Sequence, residues 1–294
     1  MKVLLLGHKG MLGSDLAAQF KYRHEVIGMD IEDINITRAS ECRRAVAEVQ
    51  PQLVINAAAY TNVDGCETAK EECFAVNAEA VKNIAEACRD KNITVIHYST
   101  DYVFDGNGSR PYLEDDPCNP INTYGASKLA GEHHLRHLTD NFILIRTAWL
   151  YGARGKNFVQ AILERARTTG KLTVVDDQTG SPTCTRDLAA ATELLVDKNA
   201  RGIFHVTNRG FCTWYDFARK ILKEARLDTV ELLPMKTSEL QRAAKRPSYS
   251  VLGAQKFVSV TGKTMQPWQL AFSDYYKIVT SRTCCSDAHF TAKS

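Results

Sequence analysis

The chain opens on a run that leaves few folds open. Met1-Lys2-Val3-Leu4-Leu5-Leu6 passes directly into Gly7-His8-Lys9-Gly10-Met11-Leu12-Gly13, and a helical pattern then covers Met11–Tyr22. A short apolar run, three regularly spaced glycines and an amphipathic stretch read as strand, tight turn and helix. Such a turn lets a backbone come close to a diphosphate while the helix N-terminus offers it free N–H groups. The spacing is G-x-x-G-x-x-G rather than G-x-G-x-x-G, and a simple turn would also use glycines. The strand before and the helix after point to a nucleotide.

The same alternation continues. Strand-like runs at Glu25–Met29, Leu53–Ala57, Thr94–Tyr98 and Phe142–Arg146 are separated by helical patterns at Ala39–Val49, Lys70–Arg89 and Tyr124–His137. This repetition predicts an α/β fold: a Rossmann-type, doubly wound parallel sheet with helices on both faces. The second half is less regular, with helices expected at Asn157–Thr168, Thr185–Val196 and Trp214–Ala225, strands at Leu172–Val175 and Ile203–Val206, and an amphipathic stretch from Gln266 to Ile278. We expect a nucleotide-binding domain over 1–148, with segments returning to it from the second half. A smaller α/β substrate-binding domain is expected mainly over 149–280, and a disordered tail over 281–294. The long loops Asp105–Asn122 and Asp176–Pro182 are candidates for function.

Composition narrows the class. The 294 residues include 37 Lys and Arg against 34 acidic residues, a net charge of +3 without a basic run, which argues against a nucleic-acid partner. No apolar stretch approaches the ~20 residues of a membrane span. The N-terminal run turns polar at Gly7 without a cleavage site, so it reads as a strand rather than a signal sequence. Nine scattered cysteines without a C-x-x-C pair suit a reducing cytoplasm and free thiols.

Candidate chemistry sits at the strand ends. Tyr124-Gly125-Ala126-Ser127-Lys128 places a phenol and an ammonium on one helix face. The phenol's ordinary pKa is about 10, and an adjacent cation stabilises the phenolate and brings proton donation within reach. Solvated helix faces also carry this spacing, but here it shares a chain with a nucleotide turn. Thr100, at the end of the fourth strand, lies where open α/β sheets keep their ligand crevice; an ordinary strand-to-loop threonine is the other reading. Asp30 follows the second strand and can accept from ribose hydroxyls, favouring NADH, or can simply cap its loop. His8 and Lys9 would suit the 2′-phosphate of NADPH. Asp33 and Ile34 fall where adenine could rest, and the small residues Ala57, Ala58 and Ala59 would let a cofactor lie flat on the sheet.

These residues resemble the extended short-chain dehydrogenase/reductase family and, within it, the dTDP-4-dehydrorhamnose reductases. The resemblance runs to about Phe272. It is carried by Gly7–Gly13, Asn56–Thr61 with Asp64, Ser99–Gly106, Tyr124–Lys128, Arg146–Tyr151, Asp177–Thr183 and Arg246-Pro247. It implies reduction of the C4 ketone of dTDP-4-dehydro-β-L-rhamnose by NADPH or NADH. Tyr124 would protonate O4, Lys128 would hold the nicotinamide ribose and depress the Tyr124 pKa, and Thr100 would orient the carbonyl. Gly7, Gly10, Met11, Leu12 and Gly13, then Ala57–Ala59 and Tyr60, would line the cofactor. Thr100, Asp101 and Trp149 would touch the sugar, although Trp149 also reads as a core aromatic. Arg246 is the candidate cation for the substrate diphosphate, and Asn157, Gln178 and Thr179 face the same crevice or are solvated loop residues. The family forms homodimers, some organised by Mg²⁺ held by glutamates. One such glutamate falls near Asp15, and the C-terminal one has no clear counterpart.

Two alternatives stay open: a sugar-nucleotide epimerase or dehydratase, and a non-catalytic regulatory protein like the β subunit of methionine adenosyltransferase. Dehydratases place Asp-Glu after the threonine, whereas Thr100 is followed by Asp101 and Tyr102. Retention of Thr100, Tyr124 and Lys128 favours the reductase over a regulatory role.

Overall fold

The apolar runs become strands because each is rich in Val, Ile and Leu and short enough to be buried on both faces. A computed structural model describes residues 1–287. In chain order the first half forms β1 (Lys2–Leu6), α1 (Met11–Phe20), β2 (Glu25–Met29), α2 (Ala39–Val49), β3 (Leu53–Asn56), α3 (Val63–Thr68), α4 (Lys70–Phe74), α5 (Ala80–Arg89), β4 (Thr94–Thr100), α6 (Thr123–Leu138) and β5 (Phe142–Thr147). The second half adds β6 (Leu150–Tyr151), α7 (Phe158–Thr169), β7 (Lys171–Val175), β8 (Thr179–Gly180), β9 (Thr183–Cys184), α8 (Thr185–Asp197) and β10 (Gly202–His205). It continues through β11 (Cys212–Thr213), α9 (Trp214–Glu224), β12 (Glu231–Met235), α10 (Gln255–Thr261) and α11 (Trp268–Asp287).

Six strands form one parallel sheet in the order β10-β5-β4-β3-β1-β2. The chain leaves β1 toward β2 on one side and returns through β3 on the other, so a crevice opens above the C-terminal ends of β1 and β3. Register aligns those ends: Leu6 is opposite Asn56, Asn56 opposite His97, and Thr100 opposite Thr147. Side chains alternate between two cores. Leu4, Leu6, Val54, Val95 and Leu144 pack against α2 and α5, while Val3, Leu5, Ile55, Ile96 and Ile143 pack against α1 and α8. Segments of the second half, β10 and α8, thus complete the first sheet. A third core, around Tyr151, Phe217, Trp268 and Phe272, joins α7, α9 and α11.

One expectation is corrected. The helix expected over Lys70–Arg89 is interrupted by a π turn at Ala75–Glu79. The turn carries Asn77, fully buried, whose amide donates to the Tyr60 carbonyl and Ser127 Oγ and accepts from the Tyr60 N–H. The extra residue of a π turn lets one side chain serve three partners there. α11 runs on to Asp287, into the stretch where a disordered tail is expected, through residues without glycine or proline. Residues 288–294 of that tail lie outside the described residues. Pro234 lies in β12 at the edge of a two-stranded sheet, where a missing N–H is tolerated.

Beneath the crevice, Arg146 of β5 and Glu132 of α6 form a buried ion pair, 1% and 0% exposed. Nη2 and Nε donate to the carboxylate at 2.7 and 3.0 Å, Nη1 donates to the Glu114 carbonyl at 3.1 Å, and the guanidinium lies 5.2 Å over the Phe104 ring. Removing one partner strands a charge in the core. Arg146→Met is therefore expected to lower the unfolding free energy by about 3–5 kcal/mol in urea denaturation. Adding Glu132→Leu to it is expected to recover most of the loss.

Candidate active site

The glycine turn is shaped by close approach. Gly7 sits at φ +76°, and a Cβ there would lie 2.7 Å from the Ala58 nitrogen; one on Gly13 would lie 2.0 Å from the Gly7 carbonyl oxygen. Only hydrogen fits at either position. Gly10 precedes α1 without a side-chain cap, which leaves the first turn of the helix facing the crevice. The crevice encloses about 800 Å³ and is lined by Gly7, Gly10, Met11 and Leu12 on one side and by Ala57, Ala58, Ala59 and Tyr60 on the other. Gly13 is set one layer back, as the packing partner that closes the turn.

Asp30 and Ile34 line the same cavity. Asp30 accepts from the Lys9 and Ile31 N–H groups, both at 2.9 Å, so it caps its loop while bordering the crevice. Asp33 accepts from the Asp30 N–H and does not line the cavity. Lys9 Nζ is held by Glu32 at 3.1 Å.

Thr100, Asp101, Tyr124 and Lys128 converge on the far end. Asn122 caps α6 by accepting from the Gly125 N–H at 2.7 Å, which starts the helix one residue before Tyr124. A Cβ on Gly125 would lie 2.1 Å from the Tyr102 carbonyl, so α6 rests directly on the turn after β4. Thr100 Oγ1 donates to Asp101 at 3.0 Å and accepts from the Tyr102 N–H at 3.2 Å. Asp101 is buried with Oδ2 unpartnered, and burial raises its carboxyl to about 6.

The expected depression of the Tyr124 pKa is corrected: burial, then the Asp101 charge, pushes the phenol up. Lys128 sits deeper, its Nζ 3.3 Å from His97 Nε2, and burial lowers it to about 8 against the opposing pull of Glu132 and Cys73. Desolvation dominates both groups because both are enclosed.

The second half supplies the opposite wall. Trp149 lines the cavity at φ +49°, stacked at 3.5 Å and 6° on Trp214. A Cβ on Gly180 would fall 2.4 Å from the Trp149 indole. The glycine of D-Q-T-G-S-P-T is thereby explained, and a left-handed backbone at a tryptophan marks strain kept at a site.

Arg246, expected to meet the substrate diphosphate, is paired with Asp64. Its guanidinium grips both Asp64 oxygens at 2.9 and 2.8 Å, outside the cavity lining, and holds that carboxyl below the usual range. The pair ties the segment after β12 to α3. Gln178 donates to Thr237, Thr179 is bound to the Ser248 carbonyl, and Asn157 caps α7; none lines the crevice. Residues that sequence reasoning missed are Tyr102, Thr147, Trp214 and Lys156. Lys156, in the glycine-flanked loop before α7, had a signal in that loop; Trp214 had none, because only packing brings α9 to Trp149.

The Mg²⁺ implied near Asp15 does not fit this chain. Asp15 accepts from Thr185 Oγ1, and no cluster of three or more His, Cys, Asp or Glu among the described residues could hold a metal. The glycine cradle, by contrast, fits a dinucleotide.

A family model, the RmlD substrate binding domain, matches residues 1–281. The chain belongs to this family. It is 38% identical to the structure of a dTDP-4-dehydrorhamnose reductase from Clostridium acetobutylicum, with a TM-score of 0.92 over 95% of this chain and 100% of that one. A dTDP-4-dehydrorhamnose reductase from Bacillus anthracis in complex with NADP is 34% identical, with a TM-score of 0.91 over 94% and 98%. The dTDP-4-keto-6-deoxy-D-glucose reductase of Streptomyces niveus is 36% identical over 280 residues, 95% of this chain and 97% of the relative. Among the described residues no helix is long and apolar enough to cross a membrane.

Gly180→Ala is expected to push Trp149 off Trp214 and to cost about 1–3 kcal/mol of stability. Near-UV circular dichroism reads the lost indole stacking; an unchanged spectrum with unchanged Tm contradicts the contact.

Proposed function

We propose that the protein is an oxidoreductase that reduces the C4 ketone of dTDP-4-dehydro-β-L-rhamnose to dTDP-L-rhamnose with NAD(P)H. One observation carries this reading: Thr100, Tyr124 and Lys128 converge on a crevice that also holds the glycine turn. Relatives named for this reaction, one of them holding NADP, support it.

A dinucleotide held by Gly7, Gly10, Met11 and Ala57–Tyr60 would supply the hydride for the carbonyl carbon. Thr100 Oγ1 orients the carbonyl oxygen, and Tyr124 donates its phenolic proton as that oxygen becomes an alkoxide. A phenol raised by burial stays protonated at neutral pH and so keeps its proton until the alkoxide forms. The Lys128 ammonium stabilises the phenolate left behind. Asp101 Oδ2, without a partner, accepts from a sugar hydroxyl, and the Trp149–Trp214 wall excludes water from the reacting face. Tyr102 stands where elimination would need a second carboxyl group, which disfavours the dehydratase reading.

Among the described residues the Lys and Arg side chains that line the cavity are Lys128 and Lys156. Lys156 follows Gly155, whose Cβ position lies 3.7 Å from Met11. That puts it beside the α1 N-terminus, and we assign it to a diphosphate there. Residues 1–148 with β10 and α8 form the cofactor half and the rest the substrate half, and assembly as a homodimer belongs to the same proposal. The seven cysteines with described side chains are free thiols, which suits a reducing compartment such as the cytoplasm.

Tyr124→Phe is expected to lower kcat for ketone reduction by about 10²–10⁴ with nearly unchanged cofactor affinity, followed as loss of NADPH absorbance on adding the dTDP-ketosugar. Wild-type turnover by that variant removes the role of the phenol. NADH is also expected to serve, because each Asp30 oxygen keeps a lone pair for a ribose hydroxyl, whereas a 2′-phosphate must draw Lys9 from Glu32. Comparing kcat/KM for the two reduced dinucleotides tests this, and a complete failure to oxidise NADH contradicts it.

A further inference from the structure

Tyr124 occupies the least secure part of its helix. It is the second residue of α6, in the first turn, where the N–H groups lack intrahelical partners and fraying begins. Lys128 stands one turn further in, buried, with its Nζ against His97. The phenol is therefore only as well placed as the cap before it. Asn122 is that cap, its Oδ1 accepting from the Gly125 N–H at 2.7 Å. The other end of the amide is also engaged: Nδ2 donates to the Lys245 carbonyl at 2.8 Å, 123 residues further along the chain.

Lys245 is held on both sides. Asp64 Oδ1, in α3, accepts from the Ala244 N–H at 3.0 Å and from Arg246 Nη1 at 2.9 Å, while Oδ2 accepts from Nη2 at 2.8 Å. Arg246 Nη1 also donates back to the Ala244 carbonyl at 2.7 Å. Arg246 thereby closes a loop around Lys245 and fixes the direction of its carbonyl. The Arg246 side chain is 8% exposed, so water competes little for these bonds. Further on, the Ser248 carbonyl accepts from the Thr179 N–H and the Ser250 N–H donates to the Thr179 carbonyl, both at 2.8 Å. Residues 244–250 thus form a strap from α3, across the start of α6, to the loop whose Gly180 packs on Trp149. α3 grips the same turn from its own side, where Glu67 accepts from the Thr123 N–H at 2.8 Å and from its hydroxyl at 2.7 Å.

We propose that Asn122 and Arg246 are positioning residues for the Tyr124 phenol: Arg246 latches the strap to Asp64, and the strap, through the Asn122 amide, fixes the first turn of α6. This role is separable from helix capping. Asn122→Asp keeps an oxygen that caps as well as the amide does, but a carboxylate has no hydrogen to give the Lys245 carbonyl. The amide joins two acceptor and donor demands that no other capping side chain meets at once. Taking Tyr124 as the proton donor rests on the reductase reading.

Amide hydrogen exchange of the free protein tests the latch without turnover. Arg246→Met and Asn122→Asp are each expected to speed exchange at residues 123–126 about tenfold, the share of one hydrogen bond, with residues 129–138 unchanged. In NADPH oxidation driven by the dTDP-ketosugar, each variant is expected to lower kcat by a similar factor. The solvent deuterium isotope effect on kcat rises with it, because delivery of the phenolic proton becomes limiting. The Kd for NADPH stays nearly unchanged, since Lys128 keeps its place. The double variant is expected to lose no more than the worse single one, because both cut the same path. Wild-type exchange and kcat in Asn122→Asp overturn the joint and leave a plain cap, and losses that multiply in the double variant overturn the shared path. Wild-type protein that binds NADPH without reducing the ketosugar overturns the reductase reading and the link to proton delivery, while the exchange rates still decide for or against the latch.

Discussion

The active face of this protein depends on a charge pair set outside the crevice lining. Arg146 and Glu132, both buried, join the strand beside β4 to the helix that carries Tyr124 and Lys128. A guanidinium in the core must have its donors satisfied, and it takes them from α6, from the loop at Glu114 and from the face of Phe104. That demand sets the rotation of α6 about its axis. With α6 placed, Thr100 at the end of β4 and the phenol one turn from Lys128 have a single relation to each other.

Enclosure then determines the electrostatics. Burial pushes Tyr124 up and Lys128 down, so neither group shows the value expected from the other's proximity. The outcome suits reduction, in which the phenol must hold its proton until an alkoxide forms.

Much of the first half was legible. The alternation of apolar runs and amphipathic stretches marked five strands of the main sheet and most of the helices that cover it, since period and burial there are local consequences of sequence. The glycine turn was legible for the same reason: Gly7 and Gly13 are required by backbone contacts within one strand–turn–helix unit. The π turn at Asn77 was not, because its cause is the backbone at Tyr60 and the hydroxyl of Ser127. The partner of Arg246 was hidden for a related reason. A basic residue near a loop looks free in sequence, and only the fold shows Asp64 already filling its fork.

By itself the sequence determined the doubly wound sheet, the nucleotide turn and the Tyr124/Lys128 spacing, all of which follow from short-range periodicity and from what a residue type can or cannot do at a turn. Tertiary structure alone decided that Trp214 of α9 stacks on Trp149, that the returning segments are β10 beside β5 and α8 on the sheet face, and that Asp30 caps a loop while bordering the crevice. Those choices bring together residues far apart in the chain. They depend on which buried polar groups find partners and which surfaces close over them, and no local pattern encodes that.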